Sequence, residues 1–405
     1  MKINRRHFAG SIGAFVLSTL STSILGKSFN SLGNEIDSVS LYLVNVTKAR
    51  NFSHSTWENR QHVFVKIRVG NFTGWAEALA NKNDLGFDIA NWGSYLKEIK
   101  GMTVLNAIEH CRIQFLTGKW QHKKSEPALI ALYDLQGKIA NIPTIELWKL
   151  KERNPVPGIF CILEKEIEKA LDAVEKAKEQ NLTSHVKVKL FGKFDTDLAL
   201  VKALRSTLGD KTFLLADPNR GYKSWESIDE LASLLKNLHA AGLDATEDPA
   251  ELSNQQWIEL QSKVGEFALV PDNPMRPAYK SINSFSPEMG KYFNIHPDTM
   301  GTFLEVIQLG KKIRNDKRGL MIGDSSFIGP ACTFWQQLAI GLGASWVEAL
   351  EKPQESDVFQ HCVKQISTKI NTNGKVELVH LYPGFGLEMD DKKLEEMSDK
   401  FVQLY

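Results

Sequence analysis

The sequence predicts a parallel β/α barrel preceded by a smaller α+β domain, and three observations carry that prediction. From about Pro157 onward, eight short apolar runs alternate with amphipathic stretches at a steady interval. Eight such strands favour a closed barrel over an open doubly wound sheet. No GxGxxG follows the first of them, which counts against a dinucleotide-binding sheet. Ahead of the barrel, strands come first and helices after, the order of an α+β unit. The 405 residues are enough for both parts, and a formal net charge of +1 argues against a nucleic-acid binder.

Residues 1–35 read as an export signal and linker. Asn4-Arg5-Arg6-His7-Phe8 precedes an apolar, small-residue run from Ala9 to Leu25, with no acidic residue before Glu35. The paired arginines followed by Phe8 resemble a twin-arginine signal, although Asn4 and Gly10 depart from its usual pattern. Periplasmic localisation is therefore predicted, with an ordinary secretory signal or an uncleaved anchor as the alternatives. The run is too short and too rich in Ser, Thr and Gly for a stable membrane span. Cys111, Cys161, Cys332 and Cys362 form no CxxC pair, which excludes the usual zinc and redox motifs and leaves buried structural thiols.

Residues 36–150 form the predicted α+β domain. Val39 to Thr47 and His62 to Val69 read as antiparallel strands, the second ending at a Gly70-Asn71 turn before Gly74-Trp75-Ala76-Glu77-Ala78. From Ile89 to Ile145 the period becomes helical, most clearly over Ala128 to Ala140, with Pro143 beyond its end. Residues 151–350 form the barrel. Its strands are predicted at Gly158–Leu163, His185–Leu190, Phe213–Asp217, Asp244–Asp248, Phe267–Asp272, Tyr292–His296, Gly319–Asp324 and Trp346–Ala349. Ile167–Glu179 and Asp197–Leu208 are two of the intervening helices.

The polar residues of this region gather where strands end. Lys187 and Lys189 lie on the second strand, Asp217 ends the third, Glu247 the fourth, Asp272 the fifth, and His296 the sixth. In a parallel barrel these ends converge on one mouth. Three carboxylates facing a common point repel one another, and a hard divalent cation such as Mg²⁺ resolves the conflict with room left for water and substrate. Lys187 and Lys189 share one face of their strand. A desolvated lysine beside a second cation has a lowered pKa and can act as a general base, while its neighbour stays charged. Metal and lysines together would stabilise an enolate.

These residues resemble the enolase superfamily, in its muconate-lactonizing and mandelate-racemase-like branches, over nearly the whole mature chain. Gly74-Trp75-Ala76-Glu77-Ala78 resembles the GWGEA segment of that family's capping domain. Tyr133-Asp134-Leu135-Gln136-Gly137-Lys138, with Pro143 and Leu147, resembles its DLxGKxxGxPxxxL helix. Val186-Lys187-Val188-Lys189 matches KxK, Asp217-Pro218-Asn219 matches DxN, and Glu247-Asp248-Pro249 matches EDP. Pro383-Gly384-Phe385-Gly386-Leu387-Glu388 resembles a PGLGxE segment that returns the C-terminus to the cap. The resemblance implies a (β/α)7β-type modified barrel, with residues 351–405 rejoining the capping domain. It implies one Mg²⁺ on Asp217, Glu247 and Asp272, with Lys189 as the base.

Two positions depart from the pattern. The sixth-strand lysine of the muconate-lactonizing branch is His296, and its glycine pair is Gly301-Thr302; the fifth-strand DE pair is Asp272-Asn273. His296 either acts as the opposing acid or base or only hydrogen-bonds substrate. Substrate contacts are expected from Asn219, from Asp324, Ser325 and Ser326 after the seventh strand, and from Glu348 on the eighth. Within the stretch Arg50 to Arg60, His54, Trp57 and Arg60 are candidates for a polar acid. The expected activity is Mg²⁺-dependent removal of the proton α to a small substrate's carboxylate, giving racemisation, epimerisation or cycloisomerisation. A lyase of the acid-sugar dehydratase or o-succinylbenzoate synthase kind and a non-catalytic carboxylate-binding relative are the alternatives, and homo-oligomerisation stays open.

Overall fold

The computed structural model describes residues 35–405. The export signal predicted for residues 1–35 lies outside the described residues, apart from Glu35. Among the described residues no helix is long and apolar enough to cross a membrane.

The first strand, Ser38–Val46, pairs antiparallel with Arg60–Val69, which turns at Gly70 (φ +56°) into Phe72–Lys82. A fourth strand, Lys400–Gln403, comes from the far end of the chain and pairs antiparallel with Ser38–Val46. The first strand is apolar on both faces because both are covered. Val39, Leu41 and Leu43 join the main core with the cap helices, whereas Tyr42, Val44 and Val46 pack with Ile328, Phe359 and Leu387. The helical run predicted over Ile89–Ile145 is broken into pieces, chiefly Val104–Leu116 and His122–Ala140. Thr103 caps the first of these through its side-chain oxygen, and Asn141, in the left-handed region at φ 54°, ends the second.

All eight barrel strands form: Phe160–Ile162, His185–Lys189, Phe213–Asp217, Ala245–Glu247, Ala268–Val270, Tyr292–Ile295, Gly319–Ile322 and Trp346–Val347. The first five pair in parallel order, as do the last three. Backbone bonds from Lys291 and Asn294 to the carbonyls of Leu269 and Pro271 (3.1 and 3.0 Å) join the fifth strand to the sixth. Ile159 N donates to Val347 O (2.9 Å), which joins the first to the eighth and closes the ring. Ile159, Leu215, Ala245, Ala268, Val270, Met321 and Trp346 fill the interior. Several strands stop short of their predicted polar ends, at Glu247, Val270, Ile295 and Ile322. Those ends leave the ladder at the mouth, so Asp272, His296 and Asp324 stand on loops rather than in strands.

The cap is fastened to the barrel by buried carboxylates. Asp134 accepts from Phe385 N (2.7 Å) and Trp75 N (3.1 Å) and ion-pairs with Lys138 at 3.0 Å. Lys138 donates in turn to the carbonyls of Thr73 (2.7 Å) and Leu387 (2.6 Å). Gly137 lets these segments close up, since a Cβ there would lie 2.6 Å from Gly384 Cα. Glu77, fully buried, accepts from the backbone N–H groups of Ile328 (2.8 Å) and Gly329 (2.9 Å), and from His62 Nδ1 (2.8 Å). These donors open the helix Pro330–Leu342, whose own N-terminal residue, Gly329, supplies no side-chain cap.

Candidate active site

The second barrel strand carries Lys187 and Lys189 on its inward face, level with Leu215 and Asp217 of the third strand. Lys187 is 2 % exposed and its ammonium meets three carboxylates: Glu247 at 2.7 Å, Glu348 at 3.0 Å and Asp217 at 3.4 Å. Burial works against its charge, but these acids outweigh burial and hold its pKa well above the usual lysine value. Lys189 lies 2.5 Å from Asp217 Oδ2. Burial and Lys187 pull its pKa down, as the sequence suggested, yet Asp217 reverses the balance and leaves it raised. Lys189 is thus an ammonium in this geometry. Burial pushes Asp217 the other way, but the two lysines hold its carboxyl well below the usual range.

Asp217, Glu247 and Asp272 stand at the ends of three adjacent strands, none more than 4 % exposed. Asp217 accepts from Asn219 N (2.8 Å) and Asn219 Nδ2 (3.1 Å), while Asn219, at φ +48°, still lines the cavity and its Oδ1 makes no hydrogen bond. Glu247 Oε1 accepts from Asn294 Nδ2 at 2.8 Å. Its Oε2 is close to Lys187 but not aligned for a hydrogen bond. Burial drives Glu247 far above the ordinary carboxylate range; Lys187 pulls it back in part, and Asp217 and Asp272 push it up again. Asp272 is bound by both Arg276 Nε (2.8 Å) and Arg276 Nη2. The Asp248 carboxylate accepts from the backbone N–H groups of Asp272 (3.1 Å) and Asn273 (3.0 Å), which fixes the turn between them.

Asp217, Glu247 and Asp272 are hard oxygen donors of the kind Mg²⁺ takes, and Glu247 Oε2 makes no hydrogen bond. Lys189 and Arg276 hold the other two carboxylates, however, and among the described residues no three His, Cys, Asp or Glu side chains are gathered as a metal cluster in this geometry. Asn294 aims Glu247, and Asn294→Ala is expected to weaken Mg²⁺ binding by about 10–100-fold. Calorimetric titration of the folded protein with Mg²⁺ measures this directly; unchanged affinity would remove Asn294 from the site.

The sixth strand lies four places round the ring from the second, so His296 faces Lys189 across the mouth. His296 Nδ1 is 2.7 Å from the Pro297 carbonyl. A carbonyl only accepts, so Nδ1 carries the proton and Nε2 keeps its lone pair. Burial first, and then Arg276, lower the pKa of His296 to about 4, so the ring is neutral. Ser325 Oγ donates to the same carbonyl at 3.0 Å.

A cavity of about 230 Å³ brings together Lys187, Lys189, Asp217, Asn219, Asp272, His296, Asp324, Ser325, Ser326, Glu348, His54 and Trp57. Its size is below the roughly 300–1,000 Å³ typical of drug-sized ligands and suits a small acid. Glu247 sits just behind the lining. Asp324 is engaged by Lys352 (2.9 Å), and Ser326 accepts from Arg50 Nη1 (2.7 Å).

Arg60 departs from expectation. It is wholly buried and away from the cavity, its guanidinium held 2.8 Å from Glu355. Arg50 shares that carboxylate at 2.8 Å and reaches the cavity in its place. Burial raises the pKa of Glu355, but Arg50, Arg60 and Lys352 outweigh it and bring it to about 2. A depressed carboxylate stabilises the fold above its unfolded pKa and loses that contribution as pH falls through the folded value. Glu355→Gln is therefore expected to cost about 3 kcal/mol near neutrality. The gap between variant and parent should close as pH drops from about 4.5 to about 2 in urea unfolding. A gap independent of pH would mean that the triad does not depend on the Glu355 charge.

Arg276, Asn294, Lys82, Lys123 and Asp298 also belong to this site or its support and were missed in the sequence. Only Asn294 left a signal, since in the predicted strand Tyr292–His296 it falls two places before His296, on the same face.

A family profile described as "Enolase C-terminal domain-like" matches residues 169–393. Muconate cycloisomerase 1 of Acinetobacter baylyi is 22 % identical over 269 residues, covering 66 % of this chain and 70 % of that enzyme. A dipeptide epimerase from Cytophaga hutchinsonii, solved with Mg and D-Ala-L-Val, superposes with a TM-score of 0.76 at 17 % identity, over 92 % of this chain and 100 % of its own. The muconate lactonizing enzyme of Pseudomonas fluorescens, solved with muconolactone, gives 0.76 at 18 % identity, over 91 % and 100 %.

Proposed function

This chain belongs to the enolase superfamily, and from that membership we propose that it is a Mg²⁺-dependent isomerase that moves a proton α to a carboxylate. The observation that carries the reading is the pairing of Lys189, charged, with His296, neutral, on opposite walls of one cavity. One group is ready to give a proton and the other to take one, which is the requirement for exchange at a single carbon. The cycloisomerase and epimerase named among the relatives support isomerisation, and the Mg in the Cytophaga epimerase supports the choice of ion.

In this reading Asp217, Glu247 and Asp272 would hold Mg²⁺, with Lys189 and Arg276 releasing the carboxylates they hold here. The ion would supply positive charge to the substrate carboxylate and to the enolate that forms from it. His296 Nε2 takes the α-proton from one face and Lys189 returns one to the other; in the reverse direction the roles exchange. Lys187, held by three acids, keeps its charge and stabilises the developing anion electrostatically. The Cys161 and Phe52 side chains beside Lys189 help to limit water.

The test is proton NMR of Mg²⁺-loaded protein in D₂O with a panel of sugar acids, N-acylamino acids, dipeptides and muconate. Deuterium at the α-carbon of one of them is the expected result. A panel that neither exchanges nor is consumed, with Mg²⁺ shown to bind, would return the protein to the class of carboxylate binders.

A further inference from the structure

The cations around the cavity differ in how they are paired. Lys187, Lys189, Arg276 and Arg50 each meet a carboxylate within 3.0 Å. Lys187, Lys189 and Arg276 belong to the barrel, and Arg50 comes from the cap. In the roof the situation changes. Lys82, the last residue of the cap strand, meets no carboxylate at ion-pair distance among the described residues; its ammonium stands 3.6 Å from the centre of the Trp57 ring. Lys123, in the first turn of the cap helix His122–Ala140, reaches only Asp298, at 4.0 Å. All four of these side chains line the same cavity as Lys189 and His296.

We propose that Lys82 and Lys123 form an anion subsite in the roof, so that the substrate is a small dicarboxylate whose second carboxylate is held there while the first lies at the barrel floor. The inference rests on the proton-transfer reading for the role of the floor, but the roof argument is its own. Two lysines side by side repel, and a half-buried ammonium without a counter-ion is costly unless a ligand supplies one. Burial and Lys123 depress Lys82 to about 8, the mark of a positive charge short of compensation. Asp298 offsets only part of the deficit, because burial brings its own pKa to about 7 despite both lysines. The Trp57 π face attracts the Lys82 ammonium without being a counter-ion, and because that face disfavours an anion, a carboxylate would approach Lys82 from the side away from the ring.

The test is calorimetric titration of the Mg²⁺-loaded protein with glutarate, adipate and pimelate, each compared with its monoamide. At least one diacid is expected to bind about tenfold or more tightly than its monoamide, and one chain length should fit best. Lys82→Met should erase that preference while leaving monoamide affinity in place, Lys123→Met should reduce it, and Lys82→Arg should keep it. Equal binding of diacid and monoamide by the parent, no binding by any diacid, or a preference that survives in both methionine variants overturns the subsite. Deuterium exchange on the same samples separates the two readings: a diacid preference without exchange leaves the subsite standing and removes the isomerase, and exchange without the preference does the reverse.

Discussion

Replacing Lys189 with alanine is expected to slow racemisation or epimerisation by about 10²–10⁴-fold, the range for losing a positioned general acid or base. The variant should still bind Mg²⁺, because the three carboxylates are untouched and Asp217 is freed of its 2.5 Å contact. Lys189→Arg should fare little better than alanine, since a guanidinium keeps the charge but does not give up its proton. Activity that survived in both variants would assign the chemistry elsewhere in the cavity. His296→Asn makes a second arm. If proton movement uses both walls, this variant should lose racemisation or epimerisation together with the exchange that begins at His296, the proton acceptor of the resting site. Equal loss of all exchange would make His296 necessary for the chemistry on either face.

The second large effect is on stability. Glu77→Ala is expected to cost about 3 kcal/mol or more, read from the urea midpoint. Its carboxylate accepts from Ile328 N and Gly329 N at 2.8 and 2.9 Å, at the start of a helix that has no side-chain cap of its own. Alanine leaves those donors buried without partners and leaves His62 without its acceptor. Glu77→Gln keeps the shape and part of the bonding and should fall between parent and alanine. A cost within the roughly ±0.5 kcal/mol of an ordinary surface change would show that the helix is held by packing alone.

The physical basis of what was legible runs through these same residues. The barrel strands could be read because each is buried and apolar, with a polar residue where it reaches the mouth. Asp217, Glu247, Asp272 and Lys189 were visible for that reason. Partnerships across elements were not. Arg276 binds Asp272 four residues away through a turn, and Lys82 reaches the cavity from a cap strand; neither position is marked by spacing. Arg60 shows the opposite case. It follows a polar stretch that reads as an exposed loop, yet Glu355, 295 residues on, draws it wholly inside. The direction of the Lys189 shift was also beyond the sequence, because it depends on Asp217 lying closer than Lys187. The helical run from Ile89 read as one stretch because turns such as Ser94–Ile99 keep an apolar face.

The strand Lys400–Gln403 beside Ser38–Val46 also sets an order of events during synthesis. The roof sheet takes one strand from Ser38–Val46 and another from Lys400–Gln403, so that strand pair cannot form until residue 403 has been made. The barrel strands, all made by Val347, emerge well before that, and the early strands must wait for a neighbour more than 350 residues downstream. A chain cut before Lys400 therefore keeps every catalytic candidate and still loses a strand of the roof under which they work.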